Sequence, residues 1–342
     1  MFTRRTLLTL LPTLILPQTV FAQSRLKIAD IHSHYAVFQH VQFKRDLIDN
    51  GIALKAMTIV PDHIYLTRMQ NGEVRVTRQI DPGDLFFAFD FMSNGLISRL
   101  TGDKLLVVKV KDDLNLVSDT NPGIVIGVEG ADFIEGDFSR LELAYERGIR
   151  QIGIAHFVKS PLVDLRTEAP SIGGLSKDGF RFIEESQRLG IVVDMAHATD
   201  KAIDQACEVA KSPIVYSHGS IGRFASSYRS SASEIMSISR ATARQIAATG
   251  GMVGIWGARH SFSSLANYGN ELIKFIDWVG ADHVGLGTDL GGLGAFDLLN
   301  NNYSELRKVV DYLISKNVPA ETVEKIAFGN YERVLKTVLK TA

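Results

Sequence analysis

Five of the nine histidines, one glutamate and one aspartate stand where short apolar runs give way to polar sequence, and together they are the residue types of a metal centre. His32 and His34 lie two apart in Asp30-Ile31-His32-Ser33-His34, so in an extended chain both project from one face and can grip one ion. Two histidines alone could merely cap a strand; the rest of the set makes the case. Glu129 follows the apolar run Ile124 to Val128, and a carboxylate there can serve two ions, one oxygen to each, which offsets their repulsion and its own desolvation. His156, His197, His218 and Asp289 each follow a further run of the same kind. The expected ligands are His32, His34 and Glu129 for one ion and Glu129, His197 and His218 for the other, with zinc favoured by ligand type. Two such ions bring a water to reactivity near neutral pH and polarise a carbonyl. Asp289 is then placed to take the water's proton and pass it on, and His156 to donate to a tetrahedral oxyanion. Arg229, eleven residues after His218, suits a substrate carboxylate.

The elements that must position these residues are eight β-branched, apolar runs. They are Ile28 to His32, Ala53 to Val60, Ile124 to Val128, Gln151 to Ala155, Val192 to Met195, Ile214 to Ser217, Met252 to Ile255 and His283 to Gly287. Runs without alternation suit parallel strands buried on both faces. Helical patterns separate them, among them Phe138 to Arg147, Lys177 to Leu189, Ala202 to Ala210, Ser239 to Thr249 and Asn270 to Val279. Eight such units predict an α/β fold, a closed (β/α)8 TIM barrel whose site lies at the C-terminal strand ends; a doubly wound sheet is the rival and would not place polar residues after so many strands. The connection from Pro61 to Pro122 is long, with a hairpin predicted at Thr67 to Arg78 around Asn71-Gly72 and helices at Asp84 to Leu100 and about Asp103 to Asn115. A helix is expected over 322 to 340.

With 342 residues, 45 % hydrophobic, 22 % charged and a formal charge of −1, the chain has an ordinary globular balance that does not argue for nucleic acid. Residues 1–22 read as an export signal ending in Val20-Phe21-Ala22, with Arg4-Arg5 in the twin-arginine pattern; two prolines interrupt the apolar run and argue against an anchor helix. A single catalytic domain over 23–342 and a periplasmic or otherwise exported location are expected, with no stable membrane anchor and a homodimer as the candidate assembly. Cys207 is the only cysteine and reads as an ordinary helix residue. His40, His63, His260 and His283 carry no expected role, though His63 and His260 fall just beyond strands.

The chain resembles the membrane dipeptidase, or renal dipeptidase, family of zinc peptidases over about residues 28 to 338. The likeness rests on Asp30 to His34, Gly127 to Gly130, Gly148 to His156, Gly190 to His197, Ser217-His218, Asp282 to Asp289 and Gly329-Asn330-Tyr331-Glu332-Arg333-Val334. It implies a (β/α)8 barrel that hydrolyses dipeptides at a two-zinc site, with His32, Glu129, His197 and His218 as ligands, His156 and Arg229 binding substrate, and Asp289 as acid and base. Two departures stand out. His34 replaces the family's usual Asp, making the site one charge more positive. Leu290-Gly291-Gly292 stands where the family often has Phe-Asp-Gly. Trp256 and Arg259 are further candidates for substrate contact. Besides a small peptide-like amide, a cyclic amide, a lactone or a specialised metabolite fits this chemistry, and a non-catalytic binding barrel is the remote alternative.

Overall fold

The computed structural model describes residues 26–37, 42–69, 74–222, 236–259 and 261–342. Eight parallel strands form the frame: β1 (Ile28–Ser33), β2 (Ile52–Ile59), β3 (Gly123–Glu129), β4 (Ile149–Gly153), β5 (Val192–Asp194), β6 (Ile214–Tyr216), β7 (Met252–Ile255) and β8 (Val284–Leu286). Each pairs with the next in chain order. Closure comes just beyond β8, where Ser33 bridges Leu290 in parallel, the Asp289 N–H donates to His32 O at 3.0 Å and the His34 N–H donates to Leu290 O at 2.8 Å. This last seam decides for the barrel over the doubly wound sheet. A helix follows every strand: α1 (Phe43–Asn50), α2 (Asp84–Gly102), α3 (Ser139–Glu146), α4 (Lys177–Leu189), α5 (Asp200–Val209), α6 (Arg240–Ala248), α7 (Leu265–Val279) and α8 (Tyr303–Ser315). Side-chain oxygens of Ser176, Thr199, Ser239, Ser264 and Asn302 cap α4 to α8, satisfying backbone donors that a helix start leaves open.

Strands and apolar helix faces meet in a continuous core, and every residue of the first three strands is buried. Gly287 lets the backbone of β6 come close: a Cβ there would lie 1.7 Å from Ser217 O. Under the N-terminal ends of the strands, Phe328, Tyr331, Val334 and Leu335 pack against Ala29, Val125, Val192 and Met252.

One expectation about elements is corrected and one is refined. The stretch Asp103 to Asn115 is not a helix but a two-residue strand, Leu106–Val107, beside β3 and a short 3-10 segment, Lys111–Leu116. Asp113 Oδ2 accepts the N–H groups of Lys109 (2.7 Å) and Val110 (2.9 Å), a local side-chain bond that competes with helix formation. The terminal helix is divided into Ala320–Glu324, a π turn at Lys325–Gly329 and Asn330–Val338, with the Asn330 amide donating to Ala281 O and Val284 O. The hairpin is present as Leu66–Arg68 antiparallel to Val74–Val76; Asn71 and Gly72 lie outside the described residues, as do residues 1–22, His40, Arg229 and His260.

Candidate metal centre

Glu129 is the middle of the site. It closes β3 as that strand's last residue, nearly fully buried, and its two oxygens face two pairs of imidazoles. Oε1 lies 2.8 Å from His197 Nε2 and 3.4 Å from His218 Nε2; Oε2 lies 3.2 Å from His34 Nε2 and 3.6 Å from His32 Nε2. Within each pair the ring nitrogens nearly touch, at 3.2 Å for His32 and His34 and 3.1 Å for His197 and His218. The groups His32, His34, Glu129 and Glu129, His197, His218 each gather three donor atoms in the reach of one ion.

The other ring nitrogens show that these are ligand orientations. His34 Nδ1 lies 2.8 Å from Thr58 O, which only accepts, so the neutral ring carries its proton on Nδ1 and turns the Nε2 lone pair inward. The Ser217 hydroxyl oxygen is 3.2 Å from His32 Nδ1 and 3.0 Å from His218 Nδ1, so one oxygen can hold both rings in the same sense. Asp194 holds that serine in turn, accepting its N–H at 2.9 Å. Inward lone pairs on His32, His34 and His218 around one carboxylate are repulsive without a cation among them, and with His197 this donor set fits divalent metal.

Charge agrees. Burial would raise the Glu129 pKa, but His156, His32 and His197 around it hold the carboxyl well below its usual range. Burial lowers His197, and it lowers His218 further together with the neighbouring His32, so both stay neutral as ligands must. His34 goes the other way: burial opposes its charge, but hydrogen bonding to Asp289 and Glu129 prevails and pushes it up to about 10. This position attracts positive charge.

Asp289 Oδ1 is 3.2 Å from His34 Nε2. Both Asp289 (φ 54°) and His197 (φ 71°) adopt the left-handed backbone, which costs a side-chain-bearing residue roughly 1–3 kcal/mol and is held by the barrel seam and by Arg166, whose N–H donates to His197 O at 2.9 Å. Gly292 leaves room for the aspartate, since a Cβ there would lie 2.2 Å from Asp289 Oδ1.

His156 follows β4 by three residues and turns Nε2 to within 3.6 Å of Glu129 Oε2. Trp256 forms wall rather than contact: it is buried, its Nε1–H donates to Ser261 Oγ at 2.9 Å and its ring centroid lies 6.4 Å from that of His218. Arg259 is committed to Asp297 O and the Asn300 side chain. His63 is exposed, and His283 bonds Gly251 O. Burial, with the charges of Asp204 and Glu208, pushes the Cys207 thiol up to about 12, so it is no nucleophile. Unforeseen in the sequence were Asp62, Asp194, Ser217 and Asp132, the last a buried carboxyl that burial pushes up to about 7.

A closed parallel barrel with this cluster at its C-terminal mouth is a TIM barrel of the metallo-dependent hydrolase type. The sequence profile of the membrane dipeptidase family (peptidase family M19) matches residues 96–342, and the chain belongs to that family. His32, His34 and Asp62 precede the matched span. Among characterised proteins, dipeptidase tcpJ of Claviceps purpurea (strain 20.1) is 26 % identical over 257 residues, 75 % of this chain, and the chain spans 60 % of that relative's length. A metallo peptidase from Rhodobacter sphaeroides, solved with a phosphinate mimic of the dipeptide L-Ala-D-Ala, superposes with TM-score 0.75 at 17 % identity, covering 92 % of this chain and 99 % of that one. An amidohydrolase from Pseudomonas aeruginosa does so with TM-score 0.73 at 19 % identity, covering 93 % and 97 %. These structural likenesses establish the fold.

Proposed function

We propose that this chain is a metal-dependent hydrolase that cleaves a dipeptide or a similar small amide. The observation that carries the reading is Glu129, with one oxygen toward His32 and His34 and the other toward His197 and His218. The two half-sites suit two Zn2+ ions, which when bound would supply an acidified water and a polarised carbonyl. Asp289, at the rim of one half-site, would take the water's proton and return it to the leaving nitrogen. His156 would donate from Nε2 to the oxyanion, and Arg229, outside the described residues, would pair with a terminal carboxylate. The substrate of a relative solved with an L-Ala-D-Ala mimic makes L,D dipeptides the first to try. The twin-arginine pattern at Arg4-Arg5 supports export of the chain from residue 23 to the periplasm, and no described helix is long and apolar enough to cross a membrane.

Metal content by elemental analysis, run beside hydrolysis of an L,L and L,D dipeptide panel, tests the reading. About two metals per chain with dipeptide turnover is expected. Two metals with no dipeptide turnover, but turnover of a lactone or cyclic amide, would overturn the substrate class. Protein that stays metal-free and inactive after reloading with zinc, manganese or cobalt would overturn the hydrolase.

A further inference from the structure

Asp62 belongs to neither group of metal donors, yet it is a buried carboxylate tied into the barrel mouth at both oxygens. It stands three residues beyond β2, 3 % exposed, and reaches across the end of β3 to the segment after β4. Oδ2 accepts the backbone N–H groups of Phe157 (3.2 Å) and Val158 (3.3 Å), and Oδ1 lies 2.7 Å from His156 Nδ1. Two amide donors fix the plane of the carboxylate, and the oxygen left over can only accept. The proton of the His156 ring on that side is therefore on Nδ1, and the ring's rotation is set with Nε2 turned toward Glu129. The ring is also packed edge to face, its centroid 4.5 Å from Phe157 and 4.9 Å from His197.

We infer that Asp62 is a positioning residue for the hydrolysis: it holds the His156 ring with Nδ1 protonated and Nε2 aimed at the reacting carbonyl, and it acts on substrate only through that ring. The inference rests on the amide-hydrolase reading above. The competing role is a staple for the loop, since Asp62 also binds two backbone amides there. In Asp62→Asn the shape is kept, but an amide cannot serve both amide donors and the ring proton as the carboxylate does.

The test is a double-mutant cycle with a spectroscopic arm on the full, zinc-loaded chain. Asp62→Asn should lower kcat by about 10–100-fold with KM changed by no more than about twofold, and should cost nothing further on a His156→Gln background. In protein labelled with 15N-histidine, a slowly exchanging Nδ1–H signal that His156→Gln removes should be lost or shifted in Asp62→Asn, while the unfolding temperature holds. Equal losses on both backgrounds, or an unmoved Nδ1–H signal, would overturn the inference. Asp62→Ser, whose hydroxyl can still accept from an amide, carries the same expectations if Asp62→Asn does not fold. A wild-type chain that turns over no amide would sink the functional reading, while the ring signal still decides whether Asp62 orients His156.

Discussion

His32 and His34 leave one strand two residues apart, while His197 and His218 leave two neighbouring strands, and the two pairs are supported differently. Under the first pair lies a buried polar network. Lys55 on β2 donates to Ser33 Oγ at 3.0 Å and to Tyr35 O at 2.6 Å; Asp30 accepts from the Thr288 hydroxyl (2.7 Å) and the Tyr303 hydroxyl (3.0 Å). The second pair has the Ser217 hydroxyl for His218 but no hydrogen-bond partner for His197 Nδ1 among the described residues, and the His197 backbone is left-handed. One half-site is held by side chains around it and the other by the backbone that delivers it. A donor set does not tell how its geometry is paid for.

Glu129→Gln should show the largest effect, because that side chain alone belongs to both halves. Bound metal should fall from two ions toward none and hydrolysis by more than the roughly 10–100-fold of an outer-shell change, whereas His218→Ala should lose hydrolysis but keep the ion of the His32–His34 half. Elemental analysis of the two variants decides; a Glu129→Gln protein with both ions bound would break the bridging arrangement. Next comes Lys55→Met, which removes the ammonium donor of the buried Ser33 Oγ and of Tyr35 O and should cost about 1–3 kcal/mol in denaturant unfolding, with metal lost first from the His32–His34 half. A variant of unchanged stability would show that the network under this half is dispensable. Ser217→Ala should have the smallest effect, a weakening of metal affinity by about 10–100-fold in chelator competition. Because its oxygen reaches His32 and His218 alike, both ions should weaken together, and selective loss of one would assign the serine to that half.

What could be read from the sequence follows from distance along the chain. A barrel strand announces its C-terminal end locally, as an apolar run meeting a histidine or an acid, so all five histidines, Glu129 and Asp289 were legible, and the structure brings those seven together. The strands were legible too, to within about two residues at their ends. Partners across the barrel were not. Asp62 follows Pro61 and reads as turn chemistry, and the ring it holds is 94 residues away. Lys55 sits in an otherwise apolar run, where only the fold reveals its partners. The false helix at Asp103 to Asn115 has the complementary cause: Leu106 and Val107 pair with β3, outside the stretch itself, and the Asp113 carboxylate takes backbone donors for a turn.

The seam between β1 and the segment after β8 also sets when the site can exist. The Thr288 hydroxyl and Asp30 are 258 residues apart in sequence, and the Asp289 N–H finds His32 O over a similar span. Contacts of such separation carry a high loop-closure entropy and slow the folding of the chain. The first half-site's ligands His32, His34 and Glu129 all lie in the first three strands or just beyond them, whereas Asp289 reaches them only across this seam. Asp289 beside His34 is therefore the part of the site that reports a closed ring of strands, so its proposed acid–base role belongs to finished molecules alone.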